Sequence, residues 1–316
     1  MFVPILLLLV GLAILVGGAD YLVRGASSIA KRFGISSIVI GLTIVAFGTS
    51  APELVVNLLS AANGATDLAI GNIIGSNLAN TLLILGVGAT ITTLTVKHGT
   101  TFKEIPFALL AIAMVAIMGN DAFFDGVANN SLSRIDGIIL LSFFVIFLYY
   151  TYGIGKVEGQ PETIKKYPVK IAVSMFVLGL AGLTIGGKLI VDNAITLAEL
   201  AGMSQALIGL TIVAIGTSLP ELATTIVAVR KKHTDLAIGN AIGSNIFNVF
   251  LVLGASSVIR PLPFDTHINT DVLFTTAVTL LLFILMFVQE KHKLQRWQGV
   301  FFILLYVGYI TYAIIR

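Results

Sequence analysis

The chain contains no cysteine and little charge. Without thiols there is no disulfide framework, no thiolate metal site and no Cys nucleophile. Only 11% of the 316 residues are Asp, Glu, Lys or Arg, against roughly a quarter in soluble proteins. Together with 57% hydrophobic residues, that shortage excludes a disordered chain, a basic nucleic-acid-binding face and an ordinary water-soluble globule. A polytopic membrane protein is left. The four histidines, at positions 98, 233, 267 and 292, have no ligand-like spacing.

Long apolar runs fill most of the chain. About 20 helical residues cross a hydrocarbon core of roughly 30 Å. On that ruler ten spans are expected, at 3–23, 36–62, 67–93, 103–120, 134–153, 169–192, 204–229, 236–259, 271–289 and 297–315. Runs this continuous read as helices, not barrel strands. The first has neither a basic leader nor a small-residue cleavage site, so it is expected to be retained rather than removed as a signal peptide. Numbering the loops alternately puts fifteen Lys or Arg on one side and only Arg134, Lys188, Arg260 and Arg316 on the other. The positive-inside rule then predicts both termini outside. The longest inner loop, 154–168, is too short for a folded domain.

Residues 34–91 and 202–259 align without a gap, with 31 of 58 positions identical. IGLTIVAFGTSAPEL is answered by IGLTIVAIGTSLPEL, and TDLAIGNIIGSNLAN by TDLAIGNAIGSNIFN. The expected organisation is a five-helix repeat over 1–153, a cytoplasmic linker at 154–168 and a second five-helix repeat over 169–316. An odd number of spans per half turns the second repeat over in the membrane. All-α inverted repeats with broken helices at the midplane mark secondary transporters.

Glu53 and Glu221 each sit in an otherwise uncharged span. A charge at that depth costs at least about 2.5 kcal/mol on insertion scales, and no Lys or Arg lies in the repeated spans to pair with it. Each Glu follows a proline, Pro52 or Pro220, which frees the carbonyls of Gly48 and Gly216 from the helix ladder. Thr49, Ser50, Thr217 and Ser218 add hydroxyls at the breaks. Glu53 lies 11 residues before Gly64 and Ser76 lies 12 after it, so both fall roughly 16 Å from the turn. Asn80 falls level with Gly48, and Asn72, Ser76 and Asn80 share one helix face. Glu221, Ser244, Gly216 and Asn248 repeat the arrangement from the other surface. An all-oxygen cluster of this kind suits Ca²⁺ or Na⁺; softer metals favour imidazole or thiolate.

GTSAPE with GNIIGSN, and GTSLPE with GNAIGSN, resemble the two alpha-repeats of the cation/Ca²⁺ exchanger superfamily, in particular its prokaryotic sodium/calcium antiporters. The resemblance implies exchange of Ca²⁺ against Na⁺ by alternating access in a prokaryotic plasma (inner) membrane. It also implies a ligand set of Glu53, Glu221, Thr49, Thr217, Ser50, Ser218, Ser76, Ser244, Asn80, Asn248 and the carbonyls of Ala46 and Ala214. Some prokaryotic relatives carry Asp where Asn248 stands. The partners expected are the two ions and the bilayer, with no cofactor and no nucleic acid.

Ca²⁺/H⁺ exchange and a passive cation channel are the rival readings. An enzyme is not expected, since paired intramembrane Asp, a GxSG serine and HExxH are all missing. Asp67 and Asp235 read as helix caps, and Asp20, Lys188 and Asp192 as snorkelling residues near span ends. Gly11, Gly17, Gly18, Gly179, Gly182, Gly186 and Gly187 permit close approach of the first and sixth spans, for static packing or for sliding. Asn129 begins a glycosylation-type sequon, and RKKH at 230–233 reads as a positive-inside anchor.

Overall fold

The computed structural model is almost entirely helical and describes residues 2–64, 66–124, 126, 129–154, 165–201 and 214–315. Helix α1 (Phe2–Phe33) leads into a bent span, α2 (Ser37–Thr49) and α3 (Ala51–Asn63). Then come α4 (Ala69–Ile91), α5 (Thr100–Met118) and α6 (Arg134–Ile154). The second half holds α7 (Val169–Leu200), α8 (Ala214–Thr217), α9 (Leu219–Arg230), α10 (Thr234–Ile259), α11 (Thr266–Leu285) and α12 (Arg296–Ile315). Among the described residues eight helices are long and apolar enough to cross a membrane, and α2 with α3 makes a ninth. The span expected at 204–229 begins outside the described residues; α8 and α9 are its remainder.

The first and sixth spans run further than their apolar stretches. Helices α1 and α7 have 32 residues each, roughly 48 Å, because hydropathy marks where a helix is greasy and not where it stops. Helix α1 ends only at Gly34, whose φ of +64° suits a residue without Cβ. Asp20, expected near a span end, therefore lies inside α1, where it pairs with Arg24 at 2.8 Å and with Lys231. The two long helices interlock backbone to backbone. A Cβ at Gly179 would stand 2.4 Å from the Leu22 nitrogen, and one at Gly18 2.7 Å from the Leu183 nitrogen. Gly17 faces outward with nothing within 4 Å of a Cβ, so it is no part of the seam.

Helices α4 and α10 form the centre. In each, 78% of the most apolar window is buried, against 22–39% in the other six long spans. Both are interrupted by π-helical stretches, Ala79–Ile84 and Asn248–Leu253, at the level of Asn80 and Asn248. Such wide turns collect at functional sites, and nothing in a 3.6-residue period announces them.

The loops are not purely irregular. Strand β1 (Leu94–Thr95) pairs antiparallel with β4 (Lys293–Leu294), and β2 (Ser131–Leu132) with β3 (Leu262–Pro263). The helices-only expectation missed these two-residue ladders, which are too short to leave a pattern. They join loops of opposite halves, and the packing has the same duplicated character. Gly86 meets Gly299 while Gly254, its repeat counterpart, meets Gly137. Asp235 stands in the first turn of α10, where a negative charge suits the helix start, and it also pairs with Lys97 at 2.6 Å; among the described residues no side chain hydrogen-bonds that helix start. The side chain of Asp67 lies outside the described residues.

Candidate functional site

Each break is made the same way. At Ser50 (φ −86°, ψ 4°) and Ser218 (φ −89°, ψ 3°) the backbone leaves helical geometry, and proline stands in the first turn of the helix that follows. The bend between α2 and α3 is 47°. Restarting the helix places Glu53 and Glu221 in new first turns, where unpaired N–H groups favour a carboxylate. Both are 1% exposed.

The halves meet around these carboxylates. Ser50 donates to Glu221 Oε1 at 3.2 Å. Asn240 donates to the Glu221 carbonyl at 3.4 Å, and its Oδ1 lies 3.1 Å from the Thr49 hydroxyl. Hairpin arithmetic sets each break against its own repeat; in the fold the side-chain bonds of Thr49 to Asn240 and of Ser50 to Glu221 run to the second repeat.

The cluster is under-bonded. Among the described residues, buried oxygens without a hydrogen-bond partner include Glu53 Oε2, Glu221 Oε2, Asn80 Oδ1, Asn248 Oδ1 and the hydroxyls of Ser76, Thr217 and Ser218. Leaving one buried polar group unsatisfied costs roughly 1–3 kcal/mol, more for a charge, so a concentration of acceptors at paired Glu side chains calls for a positive guest. The donor set is all oxygen, the chemistry that hard cations favour. No group of three His, Cys, Asp or Glu exists among the described residues, so the fixed charge of the cluster is that of two carboxylates.

The expected residues are not equivalent. Thr49, Ser50, Ser76, Asn80, Ser218, Ser244 and Asn248 are buried, but Thr217 is only half-buried. The carbonyl of Ala46 already accepts the Ser50 N–H at 2.9 Å and lies 3.3 Å from the Thr49 hydroxyl. In the second repeat the Ser218 N–H donates to the Ile215 carbonyl at 3.1 Å. A cavity of about 510 Å³ opens beside Thr217 and Pro220 and runs past Thr184 to Lys188 and Asp192. The same cavity is lined by Ala51, Pro52, Val55 and Val56, so it borders both breaks.

Four buried amides or hydroxyls were missed: Asn77, Thr81, Asn240 and Asn245. Asn77 with Asn245, and Asn72 with Asn240, are identical across the repeats, which was a usable signal. Thr81 had none, because its counterpart is Val249.

Comparison with known proteins places this geometry. The profile of the sodium/calcium exchanger protein family matches residues 3–153 and 171–315. The chain belongs to the sodium/calcium exchanger family. It is 32% identical over 345 residues to the sodium/calcium exchanger MaX1 of Methanosarcina acetivorans, covering 98% of each chain. It is 40% identical over 266 residues to the inner membrane protein YrbG of Escherichia coli, covering 81% of this chain and 79% of that one. A solved structure of the sodium-calcium exchanger NCX_Mj superposes with a TM-score of 0.85 at 34% identity, over 98% of this chain and 99% of that one. Members of this exchanger family are membrane transporters, not enzymes, and the chain is a cation/Ca²⁺ exchanger by family.

Proposed function

We propose that the chain exchanges Ca²⁺ for Na⁺ by alternating access at one shared midplane site. The observation that carries this reading is the set of unpartnered buried oxygens around Glu53 and Glu221. The proposed ligands are those two carboxylates, the hydroxyls of Thr49, Ser50, Thr217, Ser218, Ser76 and Ser244, and the amide oxygens of Asn80 and Asn248. The carbonyls of Ala46 and Ala214 complete the proposed set, and that of Ala46 gives up its contacts with the Ser50 N–H and the Thr49 hydroxyl to join it.

Coupling follows from charge. A cation bound between the two Glu cancels their repulsion and lowers the cost of carrying the site past an apolar barrier. An empty site keeps its charge and stays on one side. The residues 1–153 and 169–316 act as the two inverted repeats in this scheme. By the Lys and Arg distribution both termini face outside, the side to which Lys188 also belongs. The same distribution and the prokaryotic relatives support an inner-membrane location.

The test is uptake of radioactive Ca²⁺ into Na⁺-loaded proteoliposomes, with and without an outward Na⁺ gradient. Gradient-dependent uptake is expected. Uptake driven by a pH gradient in Na⁺-free medium would assign H⁺ as the counter-ion, and flux without any counter-ion would assign a channel.

A further inference from the structure

We propose that Asn77 is a positioning residue that sets which end of the Asn248 amide faces the ion, and so tunes Ca²⁺ affinity without touching the ion itself. This deepens the proposed site and rests on that reading. Asn77 is 3% exposed and uses both ends of its amide across the repeat boundary. Its Oδ1 accepts from Asn248 Nδ2 at 3.1 Å, and its Nδ2 donates to the Asn245 carbonyl at 3.3 Å. The donor contact to a main-chain oxygen fixes the rotamer of Asn77, since a carbonyl can only accept. With its oxygen thereby aimed at Asn248, Asn77 can receive only the NH₂ end of that amide. Asn248 must then present its oxygen on the opposite side, and that Oδ1 is buried and unpartnered.

The counterpart across the repeat does not do the same. Asn245 donates to Thr81 Oγ1 at 2.8 Å, and its own Oδ1 has no partner among the described residues. Thr81 replaces the Val249 of the other half, so one hydroxyl diverts Asn245. The two Asn oxygens are therefore held unequally: Asn248 by a fixed neighbour, Asn80 without the equivalent bond from Asn245. An amide that turns over offers a cation two N–H donors in place of an oxygen, which removes a ligand and adds repulsion.

The test is Ca²⁺ self-exchange in proteoliposomes, which needs the site but no particular counter-ion. Asn77→Ala is expected to raise the Ca²⁺ KM about tenfold with a smaller change in maximal rate. In an Asn248→Ala background there is no amide left to orient, and Asn77→Ala is expected to change KM less than twofold. An equal loss in both backgrounds would mark Asn77 as merely structural, and no loss in the native background would overturn its role. Should Asn77→Ala not reach the membrane, Asn77→Asp keeps the acceptor toward Asn248 and is expected to leave KM no higher than native; a tenfold rise would refute the proposal. Glu53→Gln in the same assay separates the two levels. If it still exchanges Ca²⁺ the site itself is misplaced, whereas a dead Glu53→Gln beside a neutral Asn77→Ala overturns only the positioning role.

Discussion

Gly179→Ala puts the α1–α7 seam under direct test. The added Cβ would lie 2.4 Å from the Leu22 nitrogen and 2.7 Å from the Gly18 carbonyl oxygen, where ordinary contact begins at 3.4 Å. Both obstacles are backbone, which cannot rotate away, so the helices must part by roughly 1 Å over several turns, a form of overpacking that costs about 1–3 kcal/mol. The upper end applies here, because displacing one pair of backbones disturbs the neighbouring contacts at Gly18, Gly25 and Gly186. Ala gains about 1 kcal/mol over Gly in helix propensity. The expected net loss is about 2 kcal/mol. Gly17→Ala adds the same methyl group and the same propensity where nothing lies within 4 Å, and it should leave stability unchanged or raise it by up to about 1 kcal/mol. The assay is thermal unfolding of both purified variants in one detergent, followed by loss of the monodisperse peak on size exclusion. A Gly179→Ala protein that melts with Gly17→Ala would refute the close-packed seam.

Glu53→Gln and Glu221→Gln keep volume and one oxygen while removing charge, and each is expected to abolish calcium uptake in a protein that still folds; normal uptake by either would remove the two-Glu site. Raising Na⁺ on the Ca²⁺ side should raise the apparent Ca²⁺ KM without lowering the maximal rate, and a purely non-competitive pattern in initial-rate measurements would require separate sites. With two carboxylates as the fixed charge, one Ca²⁺ balances the site and three Na⁺ leave it one charge in excess, so exchange should respond to a potential set by valinomycin and K⁺. Indifference to that potential would point to two Na⁺ per cycle.

Much of the chemistry was legible in one dimension. Paired Glu in uncharged spans, prolines beside them and hydroxyls at the same register stand out because a bilayer penalises polar side chains so heavily that each one needs a reason. The duplication supplied the rest, since identity across 168 residues needs no fold to be seen. Helix lengths were less legible: α1 and α7 outrun their apolar segments, and a hydropathy window is blind to a helix that continues in polar residues. The π-helical stretches beside Asn80 and Asn248 left no signal, because they change hydrogen-bond register without changing composition.

The chain by itself determined the class, the repeat and the polar inventory, each of which depends on what a residue is and how far it lies from its own neighbours. Tertiary structure alone decided partners. Thr49 meets Asn240, Ser50 meets Glu221 and Asn77 meets Asn248, every pair crossing from one half to the other. Hairpin spacing could place these groups at one depth but not side by side, since two helices at equal depth can face each other or face away. It also could not show that Pro52 and Pro220 line one cavity, because a cavity is set by how helices of both halves pack and not by spacing along either one.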